Sequence, residues 1–143
     1  MKVFDNLKQK YRLAKMPVTF ADEDIKLLAV MQETSGHGIK MKSGGLFKYS
    51  YYVPIDESNL RFARDLFAKN GIYMKVYLEK HHFLGGKRIL RTRDINSKKG
   101  RDIINFVDKI RDTQIKLTGD ENLEEWYRLQ NVLSERITKR GSR

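Results

Sequence analysis

The sequence contains no cysteine. Disulfides, zinc–thiolate sites and cysteine nucleophiles are therefore outside its chemistry, and a reducing, cytoplasmic setting is the expectation. Prolines number only two, Pro17 and Pro54, and there is a single tryptophan, Trp126. No apolar run approaches the ~20 residues that a membrane-spanning helix needs. The first residues, Met1-Lys2-Val3-Phe4-Asp5, carry charge where a secretory signal would be apolar. No membrane partner is expected.

Catalytic signatures are scarce too. Gly44-Gly45 and Gly85-Gly86 lie between strand-like runs and do not open a helix, so neither reads as a phosphate-cradling loop. The three histidines are His37, His81 and His82. His37 sits alone near glycines, and His81 and His82 would point to opposite faces of a strand, so the pair cannot hold one metal together. There is no paired-aspartate motif and no serine nucleophile elbow. The expectation is a protein without a cofactor, and more a binder than an enzyme.

What the chain has in excess is positive charge. Lys and Arg total 29 against 18 Asp and Glu, a net charge of +11 over 143 residues. A surplus of this size attracts phosphate backbones or acidic proteins. It is unevenly spread. Between residues 75 and 101 stand nine cations (Lys75, Lys80, Lys87, Arg88, Arg91, Arg93, Lys98, Lys99 and Arg101) and two acids, Glu79 and Asp94.

Hydrophobic periodicity divides the chain into a single α+β domain. Residues 3–13 predict an amphipathic helix on Val3, Phe4, Leu7 and Tyr11, and Pro17 closes this N-terminal helix and connector (1–20). A second helix spans 22–33, capped by Asp22, with Ile25, Leu28 and Met31 on one face. After the breaker Thr34-Ser35-Gly36-His37-Gly38, a hairpin is predicted from 39–42 and 46–53 around Ser43-Gly44-Gly45. Asp56 should cap a helix carrying Leu60, Ala63, Leu66 and Phe67, ended by Asn70-Gly71. A second hairpin follows, from 72–84 and 89–95 around Gly85-Gly86. Ser97 would cap a helix to about 117 carrying Ile103, Ile104, Val107 and Ile110, with Phe106 adjoining. A last helix (120–138) carries Leu123, Trp126, Tyr127, Gln130, Leu133 and Ile137, before a basic tail at 139–143. Trp126 is expected to pack on the domain. The core, 22–117, should then be a four-stranded antiparallel sheet from two hairpins (ββαββ) with helices on one face. Residues 38–70 and 72–117 have the form of a repeated ββα unit, matched mainly at the Gly-Gly turns.

The open face follows from alternation. Ile72, Met74, Val76 and Leu78 fall on one side of the outgoing strand, and Tyr73, Lys75, Tyr77, Glu79 and His81 on the other. One register of the return strand would bury Arg91 and Arg93 in the core, which is too costly. The register shifted by one puts both arginines beside Lys75, Tyr77 and His81 and turns Leu90 inward. Lys40, Lys42 and Lys48 of the first hairpin should join that face. Together with Lys87, Arg88, Lys98, Lys99 and Arg101 these are the candidate nucleic-acid-binding residues. Cations neutralise phosphates, arginine reads guanine edges and tyrosine stacks on bases. The partner expected is nucleic acid, with DNA preferred over RNA. An acidic protein partner for a viral or mobile-element factor, and a homodimer, are also compatible with the composition.

The stretch Leu28-Ala29-Val30-Met31-Gln32-Glu33-Thr34-Ser35-Gly36, followed by hairpin, helix, hairpin and helix, resembles the LAGLIDADG homing-endonuclease family over about residues 22–117. The run from Thr92-Arg93-Asp94-Ile95 to Val107-Asp108-Lys109-Ile110 resembles that family's last strand and following helix. The resemblance implies a saddle-shaped sheet that grips DNA and a motif helix that pairs two units and ends in a metal-binding acid. Ser35 stands where that acid belongs, which leaves Glu33 as the candidate catalytic residue, and Val30 stands where the family has a small glycine. The resemblance thus implies either an Mg²⁺-dependent nuclease or a non-cutting descendant that retains DNA binding.

Overall fold

A computed structural model of the chain describes residues 2–43, 49–81, 85–92 and 98–141, with side chains for 7–41, 50–78, 89–92, 98–119 and 121–136. Five helices, α1 (Lys2–Lys15), α2 (Asp22–Thr34), α3 (Glu57–Lys69), α4 (Lys98–Leu117) and α5 (Leu123–Gly141), and four strands, β1 (Lys40–Ser43), β2 (Tyr49–Pro54), β3 (Lys75–His81) and β4 (Gly85–Arg91), follow in the order ααββαββαα. This is the α+β architecture that the periodicity predicts. A short 3-10 turn, Asp120–Asn122, joins the last two helices.

Helix α2 lies at the centre. Its first turn carries Asp22, Glu23 and Asp24, which suit the positive end of the helix dipole. The residue at the cap position is Ala21, not Asp22, and no side chain caps the helix. Asp22 instead pairs with Lys26 one turn on, at 3.3 Å. Not only Ile25, Leu28 and Met31 but also Leu27, Ala29 and Val30 are buried. A single stripe would suit a helix lying on one neighbour, but α2 is enclosed by α3, α4 and α5. Residues 27–32 consequently offer no face on which a second copy could pack. Asp56 does occupy the cap position of α3, without a capping bond from its side chain. Leu60, Ala63, Leu66 and Phe67 are buried as expected.

On α5 the buried stripe is displaced from the expected one. Leu129 and Leu133 are buried, with Trp126 and Val132 packed against the core. Leu123 and Tyr127, further round the helix, are exposed. Burial of Leu129 and Leu133 favours this rotation, and an ion-pair cluster at the rim of the contact accompanies it. Arg128 holds Glu23 of α2 through two bonds of 2.9 and 3.0 Å and also bonds Glu125, while Lys26 reaches Glu125 at 3.5 Å.

Arg128 and Lys26 hold the Glu125 carboxyl at about 2, against an ordinary 4.5. Its pKa is lower folded than unfolded, so its contribution to stability is complete above about 4.5 and fades as pH falls toward 2. Glu125→Gln should therefore lower stability by about 0.5–1 kcal/mol at pH 7, the range of exposed pairs, and by nothing near pH 2. Urea melts at the two pH values check this; an equal loss at both would refute it.

The strands form one antiparallel sheet in the order β1-β2-β4-β3. In the second hairpin the expected turn is corrected. Gly85 and Gly86 begin β4 and pair with His81 and Lys80, and the connection, 82–84, lies outside the described residues. Strand pairing starts at Lys75 rather than at residue 72, because Arg91, the last residue of β4, is its partner. The parity chosen on burial cost is nonetheless kept: Leu90 lies opposite Val76 and is fully buried. The expected turn glycines Gly44-Gly45, and Ser97 as a cap, also lie outside the described residues.

The 19–21 connector, α2 and α3 are tied by a polar joint at the end of α3. Asn70 is fully buried there. Its amide oxygen accepts bonds from the Thr19 hydroxyl at 3.1 Å and the Ala21 backbone N–H at 3.0 Å. Its amide nitrogen donates to Asp24 at 2.9 Å and to the Leu66 carbonyl at 2.7 Å. Gly71 follows with φ of 81°.

Candidate functional site

The face of the sheet away from the helices is built by pairing register. Lys40 is opposite Tyr52, Tyr52 opposite Arg91, and Arg91 opposite Lys75, so these four side chains form one row across all four strands. The neighbouring row contains Pro54, Ile89 and Tyr77. Lys40 and Lys75 are exposed, Tyr77 is 38% exposed, and Tyr52 and Arg91 are half-buried.

The aromatic residues are coupled. The rings of Tyr52 and Tyr77 meet edge to face, with centroids 5.5 Å apart and planes at 62°. The Arg91 guanidinium lies 5.6 Å from the Tyr52 centroid and 5.8 Å from that of Tyr77. Its Nε is buried and has no hydrogen-bond partner among the described residues. At one end of the face, Arg64 of α3 lies 5.6 Å over Tyr73, which precedes β3 in the same alternation.

The underside holds this row in place. Tyr51, next to Tyr52 on the opposite face, is buried against Val107, Ile103 and Ile104 of α4. Burial, and then the nearby Asp108, push its phenol pKa up, with Arg111 acting the other way. Arg111 lies 5.5 Å over the Tyr51 ring and donates to the Ile39 carbonyl at 3.1 Å, which anchors the start of β1. Thr92 bonds the Tyr51 backbone twice, receiving its N–H on Oγ1 at 2.8 Å and giving its own N–H to the Tyr51 carbonyl at 3.1 Å. This carries the β2–β4 pairing one residue beyond Arg91.

The other candidates divide by place. Lys42, Lys87 and His81 occupy positions in phase with the row. Arg88 is opposite Leu78 and in phase with Leu90, which places it on the helix side of the sheet. Lys48 and Arg93 lie outside the described residues. Lys98 and Arg101 are exposed in the first turn of α4. Lys99 is turned away: its ammonium donates to the carbonyls of Leu13 and Met16 at the end of α1, where helix carbonyls lack partners. Burial lowers its pKa.

Glu33 is exposed at the C-terminal end of α2, in the helical layer and apart from the row. The turn beyond it is closed by its own bonds. Gln32 donates to the His37 carbonyl and accepts from Gln114 of α4, and the Ser35 hydroxyl donates to the Gln32 carbonyl at 2.6 Å. Among the described residues no group of three or more His, Asp or Glu side chains is placed to hold a metal. Nor, among them, is any helix long and apolar enough to cross a membrane.

Two members of the site are absent from the candidate set read from sequence. Tyr52 has the right alternation, in phase with Ser50 and Lys48, but its meeting with Tyr77 depends on the strand order. Arg64 has no sequence signal, because it comes from the outer side of α3. No family model, no curated protein and no solved structure matches this chain.

Proposed function

We propose that the protein binds nucleic acid on the open face of its sheet. The observation that carries this is the row Lys40–Tyr52–Arg91–Lys75, which puts exposed cations at both edges and coupled, half-buried planar groups in the middle. Lysines bring affinity by neutralising phosphates and releasing counterions. Tyrosine and arginine offer flat surfaces for bases. The proposed role is binding.

The test is fluorescence anisotropy with labelled oligonucleotides over a salt series, comparing wild type with Lys40→Ala/Lys75→Ala. Both lysines are exposed, so the fold should be unaffected. The logarithm of the wild-type affinity should fall linearly with the logarithm of salt. The double variant should bind roughly tenfold more weakly near physiological salt, with a slope reduced by about two. Binding no tighter than about 100 μM at that salt, within the non-specific range, or a variant that matches wild type in slope and affinity, would refute the proposal.

A further inference from the structure

The centre of the open face differs in kind from its edges. Tyr52 and Tyr77 stand on strands that flank β4, two residues out of level, and are therefore about 12 Å apart at the backbone, yet their ring centroids are 5.5 Å apart. Both side chains lean inward over β4, where Arg91 lies against the two rings. Ile89, on β4 between them, is 1% exposed although it faces away from the helices, and Pro54 beside it is also buried. The middle of the face is thus apolar, with two tyrosine rings and the Arg91 guanidinium packed together there. A hydrated phosphate gains little there, whereas a planar base gains a stacking surface. The exposed cations, Lys40 and Lys75, stand on the outer strands, about 14 Å apart across three strand spacings.

In a duplex, bases stack on one another and offer only their edges in the grooves. Reading those edges calls for extended polar side chains; among the described side chains at the centre of this face, Arg91 is held against two rings and Ser50, in phase with the row, is buried. In an unpaired strand every base has a free π-face, and DNA and RNA share this chemistry. We infer, on the footing of the nucleic-acid reading above, that the site takes single-stranded nucleic acid, with bases stacked on Tyr77 and Arg91 and phosphates held by Lys40 and Lys75.

The experiment titrates the full chain with single-stranded DNA, single-stranded RNA and duplex DNA of equal length, in wild type, Tyr77→Leu, Tyr77→Phe and Arg91→Lys. Both single strands should bind more tightly than the duplex, and the RNA-to-DNA ratio reports whether the 2′-hydroxyl is contacted. Tyr77→Leu should weaken single-strand binding about tenfold with an unchanged salt slope, because no charge is lost, and Tyr77→Phe should bind as wild type. Arg91→Lys keeps the charge, loses the plane, and should weaken single-strand binding in the same way. Circular dichroism confirms that each variant is folded. Duplex binding as tight as single-strand binding, or a Tyr77→Leu protein that binds single strands as wild type, overturns the inference and leaves nucleic-acid binding standing. If none of the three oligonucleotides binds, the reading beneath it fails as well.

Discussion

Replacing Asn70 by alanine should lower folding stability by about 3–5 kcal/mol. The side chain is fully buried and makes four hydrogen bonds, two accepted from the 19–21 connector and two donated to Asp24 and Leu66. Alanine removes all four. The sharpest loss is at Asp24, whose carboxylate is 4% exposed. Without Asn70 it retains Lys69, at 3.5 Å and largely in solvent. A buried carboxylate stripped of its main donor accounts for most of the expected effect. Urea unfolding followed by far-ultraviolet circular dichroism should show the midpoint falling with little change in m, and the melting temperature dropping on the order of 10 °C. A loss below about 1 kcal/mol would mean that the joint relaxes or hydrates, and the assignment of Asn70 as the tie between connector, α2 and α3 would be wrong.

Gly71→Ala should have a comparable effect, about 2–4 kcal/mol, for a different reason. Gly71 has φ of 81°, where a Cβ is strained. That Cβ would lie 2.4 Å from the Pro17 carbonyl oxygen and 3.2 Å from the Pro17 carbonyl carbon. These are backbone atoms of the connector and cannot turn aside as a side chain would. The connector is held against α3 by the Thr19 N–H bond to the Asn70 carbonyl at 3.0 Å, so relief of the clash loosens the contacts that Asn70 makes. The double variant should consequently lose less than the sum of the two single losses, as expected of neighbours in one joint. Strict additivity in the same urea experiment would show the two residues to be independent. The residues that follow, Ile72 and Met74, are fully buried and lead into Lys75 and Tyr77, so this joint also sets where the open face begins.

The alternation of residues 72–78 was legible because strand period is strict: Ile72 and Met74 had to go under the helices, leaving Tyr73, Lys75 and Tyr77 outside. The side taken by Arg91 was legible from the cost of burying charge. Leu78 shows the limit of such reasoning. It keeps the core phase but is 47% exposed, and nothing in its own spacing marks that. Charge was equally ambiguous. Lys99 stands within the most basic run of the chain, yet its ammonium serves the unpaired carbonyls of α1, residues more than eighty positions earlier.

By itself, then, the sequence determined the element order, the two faces of each hairpin and the basic, aromatic character of one of them, because these follow from local period and from the price of burying charge. Tertiary structure alone decided that β2 lies beside β4, bringing Tyr52 and Tyr77 together over Arg91. It also decided that residues 27–32 of α2 are buried all round and that α5 turns Leu129 rather than Tyr127 inward. Each of these rests on contacts between segments distant in the chain, where packing and ion pairing, rather than local spacing, select among arrangements that the sequence pattern allows equally.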